Sequence, residues 1–541
     1  KVKKKKPVKR KIFNYKRANW DALNADLCRV QWGAILDRTD PDTAWDRFKS
    51  TLFHFVNKHI PTISMKSEFQ PPWFDSESYQ ACRDKEKARK KFKRTKDDLD
   101  GLNFAISRRE FKRLCSQKMR DNMYNTDDPA LITKKFWSYL KHSTNAHRLP
   151  EQMHLNDTFR NDPKGQADLF NDFFYEQFSD RSNYNIHIDY ENDSTFDVDF
   201  CHRRIRKILA NTNSNKSCGP DLISGKILKN CAASVAYPLS LLFKLSYNTG
   251  CVPREWKVAN VVPVHKKGAK ENIENYRPIS LTSLVMKTFE RVIKDEILSR
   301  TSHLLDQRQH GFLKDKSCTT NMIGFCDSLA ISMNDKNASD IVYFDFSKAF
   351  DSVNHDLILE KLKNRYHIDG RLLKFIANYL SGREQRVVIG NSKSDTMPVL
   401  SGVPQGSIIG PILFVLFIND LPDGLSSGTD LALYADDTKI WRTIHSIADS
   451  DILQLDITYL NDWAIRNKMK FHPRKCKVLS VSYRQPPLLG ILPHIQYIYF
   501  LGENPLEYAE TERDLGVDIN SKLNFNSHCD RIISKARQRM G

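Results

Sequence analysis

The sequence predicts an α+β fold with a helical N-terminal extension, and three observations support this. Leu431-Ala432-Leu433-Tyr434 and Thr438-Lys439-Ile440 read as strands on either side of Ala435-Asp436-Asp437, a hairpin with acid at its tip. Ile341-Val342-Tyr343-Phe344-Asp345-Phe346 is an apolar run interrupted by one carboxylate and followed by a helix-like stretch, Ser347 to Lys361. From Trp20 to about His147 the spacing is helical, with Trp45, Phe48, Leu52, Phe55 and Val56 on one face.

Charge narrows the partners. The 541 residues hold 84 Lys plus Arg against 65 Asp plus Glu, a net charge of +19, so a polyanion such as nucleic acid is expected. The 11 cysteines are scattered without Cys-x-x-Cys spacing, and at this chain length reduced thiols inside a cell are expected rather than a disulfide framework. No apolar run approaches the roughly 20 residues of a membrane span. No signal peptide is seen, so the protein is expected in the nucleus or cytoplasm, not secreted and not in a membrane. Position 1 is Lys, so the chain reads as a fragment or a processed piece.

Taken in order, Lys1 to Lys16 carry nine basic side chains and no acid, as a basic arm or linker would. Arg83 to Lys96 form a basic helix expected to run on through Leu102, Ile106 and Phe111. Asp168 to Phe178 place aromatics at helical spacing. Ser224 to Leu242 read as a helix after the Gly219-Pro220-Asp221 turn. Val258 to Val264 read as a strand ending in the basic turn His265-Lys266-Lys267-Gly268. Pro278 keeps Arg277 out of helix, and two basic turns can clamp an anion such as a triphosphate. Gly406, in the loop Ser401 to Ser407, lets backbone approach a ligand, and Ser407 can cap the apolar helix Ile408 to Phe417. Ile452 to Met469 form a helix with Leu453, Leu460, Trp463 and Ile465 inward. A basic turn through Lys475 precedes the strand Val478 to Val481, then Leu515 to Ile519 is strand-like and His528 onward a basic helix.

Three carboxylates stand out: Asp345 at a strand end, and Asp436 and Asp437 at a hairpin tip. Side by side they would repel unless a cation lay between them. Hard oxygen ligands completed by substrate phosphates suit Mg²⁺, and two such ions about 4 Å apart promote nucleotidyl transfer.

Asp345-Phe346-Ser347-Lys348-Ala349-Phe350-Asp351, Ser401-Gly402-Val403-Pro404-Gln405-Gly406-Ser407 and Tyr434-Ala435-Asp436-Asp437, in that order, resemble the palm motifs of reverse transcriptases. Asn275-Tyr276-Arg277-Pro278-Ile279-Ser280-Leu281 is similar to the fingers motif of the non-LTR, LINE-type branch. His472-Pro473-Arg474-Lys475-Cys476 and Asp514-Leu515-Gly516-Val517 match its jockey and CR1 kind. The resemblance implies a right-hand polymerase, with fingers, palm and a partial thumb, that copies template RNA into DNA from dNTPs. The primer would be DNA or a nicked target DNA. It implies that Asp345, Asp436 and Asp437 bind two Mg²⁺. Phe350 would exclude a ribose 2′-OH, with Phe346 beside it at the nucleotide. Gln405, Gly406 and Ala435 would line the nucleotide and primer site. Arg277, assisted by Lys267, would hold the triphosphate, and Lys475 would protonate pyrophosphate.

The expected organisation is a basic arm over 1–19, a helical linker over 20–150 and a fingers extension over 151–242. A reverse transcriptase domain over 243–506 and the start of a thumb over 507–541 would follow. No residues resemble the endonuclease that such elements carry upstream. Cys218 stands where Pro is usual and His472 where Asn is frequent. The alternative to an active enzyme is an inactive or domesticated polymerase fold that binds RNA.

Overall fold

Runs of β-branched and aromatic residues make the strands, and capped amphipathic stretches make the helices that cover them. The structure, a computed structural model, describes residues 10–36, 40–65, 71, 73–143, 149–178, 198–482 and 497–540. The basic run Lys3 to Lys9 lies outside them. By internal contacts the chain forms two compact units: Lys1–Ala18 with Ile60–Glu151, and Asn19–His59 with Gln152–Gly541.

In the first unit, Arg10–Phe13 pairs with Thr62–Met65, and the helices Ser76–Thr95, Asp98–Met123 and Pro129–Ser143 follow. The basic helix does not run on as expected. Lys96 takes a left-handed conformation, φ 55°, and the Asp97 side chain caps the next helix by accepting the Asp100 N–H at 3.3 Å. The chain reverses there: Phe92 stacks on Phe104 and the Lys85 ammonium sits over Phe111 at 4.4 Å. Leu102 and Ile106 are left exposed.

In the second unit the main strands are β1 Val258–His265, β2 Tyr276–Leu281, β3 Ala338–Phe344, β4 Arg383–Ile389, β5 Ser392–Lys393 and β6 Met397–Val399, followed by β7 Thr429–Tyr434, β8 Asp437–Ile444, β9 Lys477–Val481, β10 Glu507–Tyr508, β11 Thr511–Asp514 and β12 Val517–Asn520. One sheet runs β6-β4-β1-β2 with β5 on β4, and the other β7-β8-β3-β9-β10. Strand β3 is central and largely buried on both faces: Ile341 to Phe344 form its apolar part, and the buried Asp340 before them accepts the Tyr499 hydroxyl at 2.8 Å. Ile341, Trp441 and Leu479 meet Phe325 and Leu329 of the helix Cys318–Asn334 on one face. The helix Ile447–Arg466 places Trp463 against Phe346 beyond the end of β3.

Aromatic packing joins Pro41–His59 to this unit. Trp45 meets Trp256 edge-on at 5.1 Å, and its indole N–H donates to Glu255 at 2.6 Å. Trp256, Phe243, Phe289 and Phe375 continue the cluster, with Phe243 stacked on Phe289 at 4.6 Å.

Several expected elements are divided differently. Ser347 to Lys361 is two helices, Ala349–Ser352 and His355–Asn364, because Asn354 caps the second by accepting two backbone N–H groups at 3.1 Å. Ser224 to Leu242 breaks at Cys231 into Gly225–Asn230 and Ala232–Thr249. Ile465 is exposed rather than inward. Leu515 is a turn residue with φ 44° between β11 and β12, not the start of a strand.

Candidate active site

Strand pairing brings distant carboxylates together. Tyr434 pairs with Asp437 across the β7–β8 hairpin, which leaves Ala435 and Asp436 as a two-residue turn. Asp437 is the first residue of β8. Thr438 pairs with Phe344 of β3, so Asp345 emerges next to the hairpin tip. Asp436 is half-buried and Asp437 exposed toward a cleft. The surrounding protein strips water from Asp437 and pushes its carboxyl up to about 6, with Asp436, Asp514 and Asp345 adding repulsion. Asp436 is also raised, by desolvation first and by Asp345, while Arg277 and Lys266 oppose the shift. Lys475 follows the short turn at His472 and places Nζ 3.3 Å from Asp345 Oδ1. Asp345, Asp437 and Lys475 line a cavity of about 130 Å³ with Tyr434, Arg513 and Asp514.

A segment that the sequence reading passed over braces the hairpin. Ala435 is buried at φ 58°, a conformation costly for a residue with a Cβ. Its N–H donates to the Gln309 side-chain oxygen at 3.0 Å, as does the Gly311 N–H at 2.6 Å. His310 N–H donates to the Leu433 carbonyl, and Leu433 N–H to that of Arg308. A Cβ on Gly311 would lie 2.4 Å from the Ala435 nitrogen, so only glycine permits this approach. The one signal in the sequence was the glycine beside two polar residues.

Cations face the carboxylates from the other sheet. Arg277 pairs with Val264 across β1 and β2, and Lys266 N–H donates to the Asn275 carbonyl at 2.8 Å. Lys266 is lowered by desolvation first, then by Arg277 and Lys475, which places these three cations together. The sequence reading named Lys267, which sits one residue further into the exposed turn. Lys266 is the neighbour whose charge, with that of Arg277, acts on Asp436.

The loop Ser401 to Ser407 folds onto the turn after Asp345. Val403 N–H donates to the Phe350 carbonyl and Gly402 N–H to that of Val353, both at 2.8 Å. Gly406, at φ 110°, lies against the Ser280 carbonyl of β2, and Ser280 N–H donates to the Gln405 carbonyl at 3.0 Å. The Gln405 amide donates to both Asp351 oxygens at 2.9 and 3.0 Å. Burial pushes Asp351 up to about 6. Ser407 does not sit at the N-cap, yet its hydroxyl accepts at 3.0 Å the N–H of Gly410, the first residue of the helix Gly410–Ile418. Buried Glu290, also unnamed in the sequence reading, accepts the Ile408 N–H at 2.5 Å and the Tyr379 hydroxyl at 2.9 Å. Phe350 stacks on Phe414 at 4.5 Å and remains half-buried. The Phe346 ring is buried and stacked on Phe471 at 4.2 Å, so the side chain supports the strand end.

The donor set fits Mg²⁺ in kind: hard carboxylate oxygens that raise one another and that a cation would relieve. Among the described residues no three His, Cys, Asp or Glu side chains converge closely enough to hold a metal unaided. Phosphate oxygens would have to complete the shell. Among the described residues no helix is long and apolar enough to cross a membrane.

The family described as reverse transcriptase (RNA-dependent DNA polymerase) matches residues 264–508. The chain is 25% identical over 338 residues to the RNA-directed DNA polymerase from mobile element jockey of Drosophila melanogaster, covering 61% of this chain and 36% of that one. It is 28% identical to the probable RNA-directed DNA polymerase from transposon BS and 26% to that from transposon X-element of the same organism, over 60% and 62% of this chain and 36% and 37% of theirs. The chain thus spans about a third of the length of these relatives. A solved apo telomerase from Candida tropicalis is 11% identical with a TM-score of 0.36, over 56% of this chain and 68% of that chain. Residues 264–508 thus match the reverse transcriptase family, and the chain is similar over about 60% of its length to the RNA-directed DNA polymerases from mobile element jockey, transposon BS and transposon X-element.

Proposed function

We propose that this chain adds dNTPs to a primer 3′-OH on template RNA, with two Mg²⁺ as cofactors, as part of a non-LTR retrotransposon's copying machinery. The observation that carries the reading is the meeting of Asp345 with Asp436 and Asp437, opposite Arg277 and Lys266. The three carboxylates, with phosphate oxygens of the substrate completing the shell, would hold the metal. When bound, it would activate the attacking hydroxyl and neutralise the leaving oxygens.

The chain's own residues do the positioning. Arg277 and Lys266, with Lys267 beside them, offset triphosphate charge. The Ser401 to Ser407 loop presents Gln405 and the backbone of Gly406 to the incoming nucleotide. Ala435 supports the primer end. Phe350 fills the space a 2′-OH would need. Lys475, whose Nζ lies 3.3 Å from Asp345 Oδ1, is the donor that would protonate the leaving pyrophosphate. The basic surface attracts template RNA and the DNA primer or nicked target DNA.

Extension of oligo(dT) on poly(A) with dTTP and Mg²⁺ tests the reading. Template retention with no extension would instead favour an RNA-binding scaffold. In the same assay Phe350→Ala should raise ribonucleotide incorporation about tenfold or more. An unchanged preference would remove the gate role.

A further inference from the structure

Phe350 is held on two sides. Its ring lies flat on Phe414, with centroids 4.5 Å apart and planes at 24°. Phe312 meets it in a T-shaped contact, with centroids 6.0 Å apart and planes at 90°. Phe414 belongs to a buried helix, but Phe312 is 45% exposed, a large apolar ring left in water beside the cleft.

The backbone keeps Phe312 there. It adopts φ 60°, a region bulky L-residues rarely occupy. It follows Gly311, which abuts Ala435, and lies two residues beyond His310, whose N–H is bonded to Leu433. Gln309 ties Gly311 and Ala435 through one oxygen. The segment that fixes the metal hairpin therefore also fixes the ring that abuts Phe350. Hydrophobic burial does not account for an exposed side chain in a strained conformation, but contact with a neighbour that must hold still does.

We propose that Phe312 is a positioning residue for sugar discrimination: its ring, perpendicular to that of Phe350, holds the Phe350 ring in the plane that rejects a 2′-OH. The inference rests on the reading of Phe350 as the gate. Without Phe312 the Phe350 ring keeps its stack on Phe414 but can tilt away from the sugar. The link through Gln309 and Gly311 also keeps the gate in register with the carboxylates.

The test uses the whole chain with dUTP and UTP in competition on poly(A)–oligo(dT), two nucleotides that differ only at the 2′ position. Both compete for the same folded molecules, so partial misfolding does not change the ratio. Phe312→Ala should raise the UTP-to-dUTP ratio of kcat/KM by about 3- to 10-fold, the weight of one aromatic pair. Phe312→Tyr, which keeps the ring, should restore the wild-type ratio. Adding Phe312→Ala to Phe350→Ala should raise the ratio no further. An unchanged ratio in Phe312→Ala, while Phe350→Ala raises it, would overturn the inference and leave the gate intact. An unchanged ratio in Phe350→Ala would remove the gate itself, and this role with it.

Discussion

Gln405 cannot turn freely, because an ionised Asp351 has only acceptors to offer and fixes the amide nitrogen toward itself. That arrangement carries a stability cost. Asp351 is raised from 3.8 to about 6, so the folded chain binds its proton more tightly than the unfolded chain. Its contribution to stability is full below the unfolded value and is lost as pH rises through about 6, by at most about 3 kcal/mol. Asp351→Asn should flatten the wild-type fall in stability between pH 4 and 6. It should also raise the KM for dNTP several-fold, since one acceptor replaces two. Urea unfolding midpoints across that range check the first effect, and identical slopes in both proteins would refute it. The sequence pointed to Gln405 but not to Asp351, because a carboxylate six residues after Asp345 looks like an ordinary helix-surface acid. Nor does motif position say which way a ring turns: that of Phe346 stacks on Phe471.

At the scale of elements, the β7–β8 hairpin and central β3 were legible, because apolar runs broken by acid at a fixed place leave few other readings. Helix interruptions were not. Asn354 and Cys231 stop helices by local capping and turn geometry that periodicity does not register. The coupling of β8 to the β11–β12 hairpin was also hidden. Lys439 and Asp514 form a buried ion pair, and the Lys439 ammonium sits 4.0 Å from the centroid of the Phe325 ring. Burial lowers the Lys439 pKa, and Asp514 opposes that shift through its charge and hydrogen bond. Removing one partner leaves an uncompensated charge. Lys439→Met should destabilise the fold by about 3–5 kcal/mol, and Lys439→Met with Asp514→Leu by much less. Additive losses in denaturant titrations would show that the pair is not coupled.

Across the whole molecule the sequence separates the acidic partners widely and pairing reunites them. Asp345 and Asp436 stand 91 positions apart in the chain, yet β3 and β8 are neighbours. Arg277 and Lys266 reach the same place from the other sheet. The net charge of +19 announced a polyanionic partner, while the site's bracing by Gln309 and Gly311 required the coordinates. The most direct test of the account compares two substitutions on one hairpin in primer extension on poly(A)–oligo(dT) with dTTP and Mg²⁺. Asp436→Asn removes a carboxylate at the tip, whereas Asp430→Asn changes an exposed one at the far end, opposite Trp441. The account predicts a loss of about a hundredfold or more for Asp436→Asn and near wild-type extension for Asp430→Asn. Near wild-type extension by Asp436→Asn would contradict it.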